Sequence, residues 1–167
     1  MTTSRTTLDT PIGPMTVVAS DGGLRAVLWP DDSGRVRLPD DIVEDASHPV
    51  VVTASTQLRE YFDGERTAFD VPIDLVGTDF QQTVWRSLAA IPYGETATYG
   101  EQARRIGRPT AARAVGSANA RNPLSIVLPC HRVVGADGSM TGFAGGLDTK
   151  RFLLDLEARV VARAATA

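Results

Sequence analysis

The sequence predicts an α/β region up to residue 76, followed by a mainly helical region from residue 77 that contains a helix-turn-helix. Three observations support this: short apolar runs between turns in the first part, capped helical patterns in the second, and a change of net charge near residue 79. The chain has 167 residues, of which 43% are hydrophobic and 22% are charged. That composition is typical of a globular protein. We therefore expect two domains, residues 1–76 and residues 77–167.

Short apolar runs separated by turn-forming residues begin the first region. The predicted strands are Thr6–Thr10, Met15–Ser20 and Leu24–Trp29, and residues 11–14 and 21–23 separate them with proline and glycine. The Asp-Gly pair in the second separator is a strong hairpin signal. These strands are therefore expected to form a small antiparallel meander.

A polar stretch and one helix follow the meander. Residues 30–47 are mostly polar and predict a loop. Pro49–Phe62 has proline at its start, apolar residues at spacings of three and four, and Gly64 just beyond its end, which is typical of a helix. Residues 69–75 then alternate apolar with polar or small residues, which predicts a half-buried strand.

The second region begins with a helix. Asp79 can cap it with Gln82 three residues later, and Phe80, Val84, Leu88 and Ile91 recur at helical spacing. Residues 92–94 (Pro-Tyr-Gly) are expected to end the helix.

Two further short helices predict the helix-turn-helix. Thr98 and Glu101 form a capping box that begins a helix ending near Gly107. Thr110 can cap the next helix, residues 111–119. Short helices joined by a turn that contains glycine are typical of this motif.

The last part of the chain combines a buried run, a loop and a helix. Leu124–Leu128 is short and apolar and predicts a buried strand leading to Cys130. Residues 135–146 are rich in glycine and predict a loop. Asp148 is expected to cap a final helix, which carries Phe152 and Leu156 on its apolar face.

The charge distribution bears on possible partners. The whole chain has a net charge of −3, but residues 1–79 carry −8 and residues 80–167 carry +5. A uniformly basic nucleic-acid binder is therefore excluded, whereas binding of nucleic acid by the second region is not.

The cysteine content and the hydropathy bear on the setting. A single cysteine, Cys130, excludes an intramolecular disulfide and a zinc site with several thiolates. No run approaches the length of a membrane helix, and the first residues lack the apolar core of a secretory signal. We expect a protein of the reducing cytoplasm, without contact to a membrane.

The adjacent Cys130 and His131 are the strongest chemical signal. A thiolate is the reactive form of cysteine, and a neighbouring histidine can accept its proton. A carboxylate commonly orients such a histidine, but the sequence pattern alone does not select one. A lone cysteine can also be a small buried apolar residue, so this alternative stays open at this point.

Several motifs occur in order along residues 79–157, and Thr10–Pro14 adds a weaker one. The motifs are Phe80–Trp85, Ile91–Thr96, Ala111–Gly116, Asn122-Pro123 and Leu128–Val133. With these motifs the chain resembles the O6-alkylguanine-DNA alkyltransferases. The resemblance implies an N-terminal RNase H-like α/β domain followed by a helical DNA-binding domain. It also implies irreversible transfer of an alkyl group from guanine O6, and by extension thymine O4, to a cysteine, once per molecule.

The resemblance implies catalytic roles for five residues. Cys130 would be the nucleophile, His131 would take its proton through a bound water, and Glu157 would orient His131. Tyr99 would press on the target phosphate and serve the ring nitrogen of the leaving guanine. Asn122 would hold the turn before the active-site segment. Without the resemblance, Glu157 would be interpreted as a solvated helix residue and Tyr99 as a packing residue.

DNA contacts follow from the same resemblance. Arg113 would enter the base stack in place of the flipped base, and small residues such as Ala114 and Ala118 would let the helix approach a minor groove about 6 Å wide. Phosphate contacts are expected from some of the remaining arginines, namely Arg104, Arg105, Arg108, Arg121 and Arg132. Arg132 can instead be structural, because it follows the cysteine on a segment expected to be buried.

The expected substrate pocket contains Pro129, the Val133 carbonyl as acceptor for the guanine amino group, and the loop residues Phe143, Ala144 and Gly145. The family often has tyrosine at the position of Phe143, and some members have serine at that of Ala144. Neither hydroxyl is present here, so backbone N–H groups near Ala144 and Gly145 are expected to contact O6. These departures affect the range of substrates rather than the reaction.

The partner is expected to be double-stranded DNA that carries O6-alkylguanine, bound by a monomer, with cooperative binding along DNA left open. No cofactor and no metal site is expected, since one cysteine and the spare His48 cannot form the zinc site of some relatives. Three alternatives stand beside this function: a lesion binder without the reaction, a Cys–His hydrolase, and a helix-turn-helix transcription regulator. The presence of Cys130 argues against the lesion binder, and the absence of a peptidase signature argues against the hydrolase. The small residues of the second helix argue against the regulator, whose recognition helix usually carries longer polar residues.

Overall fold

The computed structural model describes residues 2–30, 32 and 34–166, and the chain divides into two compact units. The first comprises the residues up to Val76 together with Pro123–Val127, and the second comprises Gly77–Asn122 and the residues from Leu128 onward. The predicted order of an α/β region followed by a mainly α region is confirmed. The assignment of residues 1–76 and 77–167 as functional domains stays a prediction.

The first unit is built on a four-stranded sheet. Its strands are β1 (Thr3–Thr10), β2 (Gly13–Ser20), β3 (Gly23–Leu28) and β4 (Ile42–Glu44), in the order β3-β2-β1-β4. The first three form the predicted antiparallel meander, and β4 pairs in parallel with β1. Consecutive apolar residues of β2 and β3 are buried, among them Val17 with Val18 and Ala26 with Val27, so both faces of these two strands are covered there.

Helix α1 (Pro49–Phe62) packs on this sheet and has the predicted bounds. His48 caps it, and its Nδ1 accepts a hydrogen bond from the Val50 amide. Leu58 and Tyr61 are fully buried and provide the apolar face. Burial of this face explains why the local pattern was sufficient to predict the helix.

Three sequence predictions fail in this unit. The predicted loop 30–47 contains β4, which the main-chain pairing with β1 stabilises, and its residues Asp31 and Ser33 lie outside the described part of the chain. The predicted strand 69–75 forms only a single bridge, between Leu24 and Ile73, since Pro72 has no N–H to extend a ladder. The predicted strand Leu124–Leu128 is a turn.

That turn has an uncommon backbone conformation. Ile126 has φ 74°, the one positive φ outside glycine among the described residues. Leu124 forms an isolated bridge with Val27, and the Ser125 hydroxyl accepts a hydrogen bond from Trp29 Nε1 at 3.0 Å. The segment is therefore held by contacts to residues distant in the sequence, which periodicity does not reveal.

The second unit contains four helices and one pair of very short strands. The helices are α2 (Asp79–Ser87), α3 (Tyr99–Arg105), α4 (Ala112–Ala120) and α5 (Leu147–Thr166). The strands β5 (Ala97–Thr98) and β6 (Val133–Val134) pair in parallel. A 3₁₀ turn extends α2 through Leu88–Ala90, and Ile91, which was expected to belong to the helix, has an extended backbone just beyond it.

The caps agree only in part with the sequence predictions. Thr98 and Glu101 form the predicted capping box of α3. The box of α2 is formed by Thr78 and Gln81, one residue earlier than predicted, since the Thr78 hydroxyl accepts from the Gln81 amide at 3.1 Å. Ala111 rather than Thr110 precedes α4 and makes no side-chain cap.

Asp148 does not precede α5 either, because the helix begins at Leu147 and Asp148 lies in its first turn. A carboxylate there still interacts favourably with the helix dipole. Among the described helices of the chain, none is long and apolar enough to span a bilayer.

Helices α3 and α4 pack together as the predicted helix-turn-helix, joined by a turn in which Gly107 has φ 76°. A buried amide pair connects them: Asn119 Nδ2 donates to Gln102 Oε1 at 2.8 Å, and Gln102 Nε2 donates to Asn119 Oδ1 at 3.2 Å. Gln102 Nε2 also reaches the Val84 carbonyl and the Ser87 hydroxyl of α2. The pair therefore fixes α4 against two other helices.

Candidate active site

Cys130 lies in a short 3₁₀ helix, Cys130–Arg132, directly after the turn that ends at Pro129. Its side chain is buried, and it forms no disulfide. The Leu128 carbonyl accepts hydrogen bonds from the Cys130 amide at 2.8 Å and from Asn122 Nδ2 at 2.8 Å. Asn122 therefore braces the backbone that positions the cysteine.

His131 is fully buried and pairs with Glu157 of α5. Its Nε2 donates to Glu157 Oε2 at 2.6 Å, whereas the buried Nδ1 has no hydrogen-bond partner among the described residues. Burial lowers the pKa of His131, and the opposing effect of Glu157 does not overcome it. At neutral pH the ring is therefore neutral, and its unpaired Nδ1 is available as a proton acceptor.

Glu157 connects several groups at once. It accepts from Arg132 Nε at 2.9 Å, from Arg132 Nη2 at 3.1 Å and from the Gly94 amide at 3.1 Å, in addition to His131. Burial alone would raise the pKa of Glu157, but the hydrogen bonds and charges of His131 and Arg132 outweigh it and lower the pKa to about 2. The carboxylate is thus ionised and fixes the orientation of the imidazole.

Arg132 is part of this buried cluster rather than of a phosphate-binding surface. Besides its two bonds to Glu157, its Nη1 donates to the Ile91 carbonyl at 2.7 Å, and its guanidinium lies 5.4 Å from the Tyr93 ring centre. The expectation that Arg132 contacts phosphate is therefore wrong, because its guanidinium is already engaged inside the protein. The alternative stated for Arg132, a structural role, agrees with these contacts.

Gly94 has two roles that the sequence pattern did not reveal. It donates its amide to Glu157 and has φ 80°, a conformation that favours glycine. A Cβ at this position would lie 2.5 Å from Val161 Cγ2 of α5. The residue therefore allows the loop after α2 to approach α5 closely enough to bind its carboxylate.

Lys150 is a second residue that sequence analysis missed. Its side chain is fully buried, and its Nζ donates to the Val133 carbonyl at 2.6 Å and to the Thr141 carbonyl at 3.0 Å. Burial lowers the pKa of Lys150, and the nearby Cys130 opposes this. A lysine in the first turn of an amphipathic helix gives no local signal that it points inward.

An open groove of about 580 Å³ lies on one face of α4. Tyr99 and the exposed Arg113 line it, so the structure brings these two predicted residues together. The other lining residues are small, with Ala112, Gly116, Ser117, Ala120, Thr141 and Gly142. Thr141 Oγ1 donates to the Tyr99 hydroxyl oxygen at 3.1 Å.

A second groove, of about 360 Å³, adjoins the first along α4, and Ser117 lines both. The remaining predicted DNA contacts, Ala114, Ala118 and Arg121, line this second groove rather than the one with Arg113 and Tyr99. Thr78, Phe80 and Gln81 of the α2 N-terminus complete its lining with Ser117. Small side chains in both grooves leave α4 accessible to a narrow groove of a partner.

The predicted pocket residues occupy two places. Val133 is buried in β6, three residues after the cysteine, and its carbonyl is bound by Lys150. Phe143 and Gly145 are half-buried and Ala144 is exposed, in the loop that precedes α5. In the described part of the chain, no three histidine, cysteine or acidic side chains are grouped so that they could hold a metal ion.

The arrangement can support nucleophilic chemistry at Cys130. A neutral histidine with an unpaired nitrogen follows the cysteine directly, and an ionised carboxylate fixes that histidine from the other side. Such a constellation takes a proton from a thiol and stabilises the imidazolium that results.

Comparisons with known proteins agree with this chemistry. Residues 4–75 match the family described as the 6-O-methylguanine DNA methyltransferase ribonuclease-like domain, and residues 79–159 match the DNA binding domain of the same protein. A methylated-DNA–protein-cysteine methyltransferase of Methanosarcina acetivorans is 50% identical over 149 residues, 89% of this chain and 94% of the relative. That of Mycobacterium tuberculosis is 48% identical over 155 residues, 90% of each.

A solved structure extends the similarity to the fold. The crystal structure of Mycobacterium tuberculosis OGT in complex with DNA has a TM-score of 0.84 and 47% identity, covering 96% of this chain and 94% of that one. The N-terminal ribonuclease-like fold and the C-terminal DNA-binding fold are thereby confirmed. The chain belongs to the 6-O-methylguanine DNA methyltransferase family.

Proposed function

We propose that this protein repairs alkylated DNA by transferring the alkyl group of O6-alkylguanine, and also of O4-alkylthymine, to Cys130. The observation that carries the assignment of the acceptor is the buried Cys130 directly before a histidine that Glu157 holds at 2.6 Å. Because the product is a stable thioether, each molecule acts once. A reducing cytoplasm suits this reaction, since it keeps the acceptor as a thiol.

The reaction begins with loss of the Cys130 proton. His131 Nδ1 is the acceptor, reached through a water molecule, and the ionised Glu157 stabilises the charge on the ring. The thiolate attacks the alkyl carbon, a sulfur–carbon bond forms, and the bond from that carbon to O6 breaks with its electron pair going to guanine. Guanine then takes up one proton, which balances the proton lost from sulfur.

DNA binding must present the base to this buried sulfur. Extrusion of a base costs a few kcal/mol, so a group that fills the gap assists it. Arg113 is exposed on a helix of small residues and is suited to enter the stack from the minor groove. Tyr99 lines the same groove as Arg113, which supports its proposed contacts to the phosphate and to the ring nitrogen of the flipped base.

The pocket and the remaining contacts complete the proposal. The Val133 carbonyl can accept from the guanine amino group with its second lone pair, while Pro129, Phe143, Ala144 and Gly145 surround the alkylated oxygen. Ala114, Ala118 and Arg121 approach the backbone of the duplex. We expect a monomer in solution, and sedimentation with and without a short duplex measures this and any cooperative binding.

The test is the stoichiometry of repair. A duplex with one O6-methylguanine is supplied in tenfold excess, and restored guanine is measured by digestion and chromatography. We expect a plateau at one guanine per protein molecule, and none with Cys130→Ser. Continued turnover would contradict the single-use reaction, whereas tight binding without restored guanine would indicate a lesion binder.

A further inference from the structure

A hydroxyl group faces Tyr99 from the loop before α5. Thr141 Oγ1 lies 3.1 Å from the Tyr99 hydroxyl oxygen, and both residues line the groove that contains Arg113. Phe143 and Ala144, in the same loop, have no side-chain hydroxyl. Thr141 is therefore the loop residue whose side chain reaches Tyr99 in the described structure.

The backbone of Thr141 is anchored from inside the unit. Lys150 Nζ donates to the Thr141 carbonyl at 3.0 Å and to the Val133 carbonyl at 2.6 Å. Lys150 is fully buried, so its charge-assisted bond to Val133 forms away from water, and its bond to the exposed Thr141 is partly shielded. The ammonium group thus ties the loop at Thr141 to the strand that follows the cysteine.

We propose that Thr141 is a positioning residue for Tyr99 in the alkyl-transfer reaction. Its hydroxyl donates to the phenol oxygen, which directs the phenol proton away from Thr141 and toward the flipped base. A hydroxyl has one proton to donate and two lone pairs, so an oxygen that accepts from Thr141 remains free to donate elsewhere. This inference rests on the proposed function, in particular on the role of Tyr99.

The proton balance shows where the contact acts. As the bond from the alkyl carbon to O6 breaks, Tyr99 gives its proton to a guanine ring nitrogen, and the phenol oxygen carries a negative charge until water returns a proton. The hydrogen bond from Thr141 stabilises that charge, because bonds to charged oxygens are stronger than those to neutral ones. Over the whole reaction the Cys130 thiol loses one proton, guanine gains one, and Tyr99 ends with the proton it began with.

The experiment compares single-turnover transfer rates on a duplex with O6-methylguanine. Thr141→Val keeps the shape of the side chain and removes the hydroxyl, and we expect transfer to slow about 3- to 10-fold, the effect of one hydrogen bond. Thr141→Ser restores most of the rate, because it retains the hydroxyl. Thr96→Val, at an exposed threonine of the same unit, is the matched control and changes nothing.

A double variant identifies Tyr99 as the group through which Thr141 acts. Tyr99→Phe removes the phenol oxygen, so adding Thr141→Val to it should slow transfer no further. Alkylation of Cys130 by iodoacetamide, which needs no phenol, should proceed at the wild-type rate in Thr141→Val. Equal transfer rates for wild type and Thr141→Val would overturn the inference. It would also be overturned if Thr141→Val slowed transfer in the Tyr99→Phe protein by the same factor as in the wild type.

Two outcomes separate this inference from the function on which it rests. If iodoacetamide reacts more slowly with Thr141→Val by the same factor as DNA, Thr141 supports the loop in general and the inference is wrong while the function stands. If Cys130 is never alkylated by the duplex, or if Tyr99→Phe transfers at the wild-type rate, the proposed function or its Tyr99 role fails instead.

Discussion

The buried centre around Cys130 and the groove face of α4 are organised in opposite ways. In the centre, Glu157 accepts four hydrogen bonds from His131, Arg132 and the Gly94 amide, and no part of this carboxylate is exposed. On the groove face, Arg113 is exposed among small residues, and Tyr99 contacts the hydroxyl of Thr141.

This difference separates two requirements of one reaction. Proton transfer from a thiol needs groups held in fixed geometry, and burial with full hydrogen bonding provides this before any substrate arrives. Binding of a duplex needs a surface whose polar groups find their partners in the DNA, so this surface must remain open. Variants in the centre should therefore affect both stability and chemistry, whereas variants on the groove face should leave stability unchanged and, at Arg113, affect only the reaction with duplex DNA.

The largest effect is expected for Glu157→Gln. The change leaves the Arg132 guanidinium buried without its carboxylate and removes the group that fixes His131, so we expect a loss of about 3–5 kcal/mol in the free energy of unfolding. Transfer should slow about 100-fold or more, in the range that general base catalysis contributes. Urea unfolding and single-turnover transfer measure the two effects.

Asp155→Asn is the control for Glu157→Gln, since Asp155 is an exposed carboxylate on the same helix. It should change neither quantity appreciably. Wild-type stability and rate for Glu157→Gln would show that the buried centre is not the organising element we describe.

Acid should weaken the same centre in a defined range of pH. The pKa of Glu157 is lowered from 4.5 to about 2, so the stability that its ionised form contributes is complete above 4.5 and is lost as pH falls toward 2. His131 weakens the fold at higher pH than Glu157 does. Burial lowers the pKa of His131, so below pH 6.5 the unfolded chain binds a proton on this histidine more readily than the folded one, and stability falls. Unfolding free energies measured across pH should fall in both ranges, with the lower range flattened in Glu157→Gln.

Arg113→Ala tests the groove face. We expect about 10- to 100-fold slower transfer from duplex DNA, because extrusion of the base loses the few kcal/mol that the inserted side chain offsets. Transfer from free O6-methylguanine base should be unchanged, since no base needs extrusion. Arg159→Ala, at an exposed arginine of α5, is the charge-matched control. Equal losses on both substrates would refute the role of Arg113.

The amide pair between α3 and α4 should have a smaller effect. Asn119→Leu alone leaves the buried Gln102 Oε1 without its donor at a cost of about 1–3 kcal/mol, while Gln102 Nε2 keeps its bonds to the Val84 carbonyl and the Ser87 hydroxyl. Adding Gln102→Leu should recover part of this loss, because both amides are then replaced by apolar groups. A double-mutant cycle in urea measures the coupling, and additive losses would contradict a direct pair.

Local signals predicted more of the fold than of the contacts that complete the site. Pro49–Phe62 and the capping box of Thr98 and Glu101 were predictable because periodicity and caps are properties of neighbouring residues. The strand expected at residues 69–75 does not form beyond a single bridge, and β4 was not predicted. Both outcomes depend on pairing with a segment distant in the sequence, which local patterns do not report.

The site shows the same limit. Cys130 and His131 are adjacent in sequence, so their chemistry could be inferred directly, whereas Glu157 lies 26 residues beyond His131 and was assigned only through the family resemblance. Gly94 and Lys150 act through a close backbone approach and through two carbonyls, and neither contact has a local signature.

The identity of the acceptor atom is tested most directly by mass spectrometry after reaction. The protein is incubated with a duplex bearing O6-methylguanine, its intact mass is determined, and the modified peptide is sequenced by fragmentation. We predict one added methyl group per molecule, on Cys130. A protein that restores guanine while Cys130 stays unmodified, or that carries the methyl group on another residue, would contradict this account.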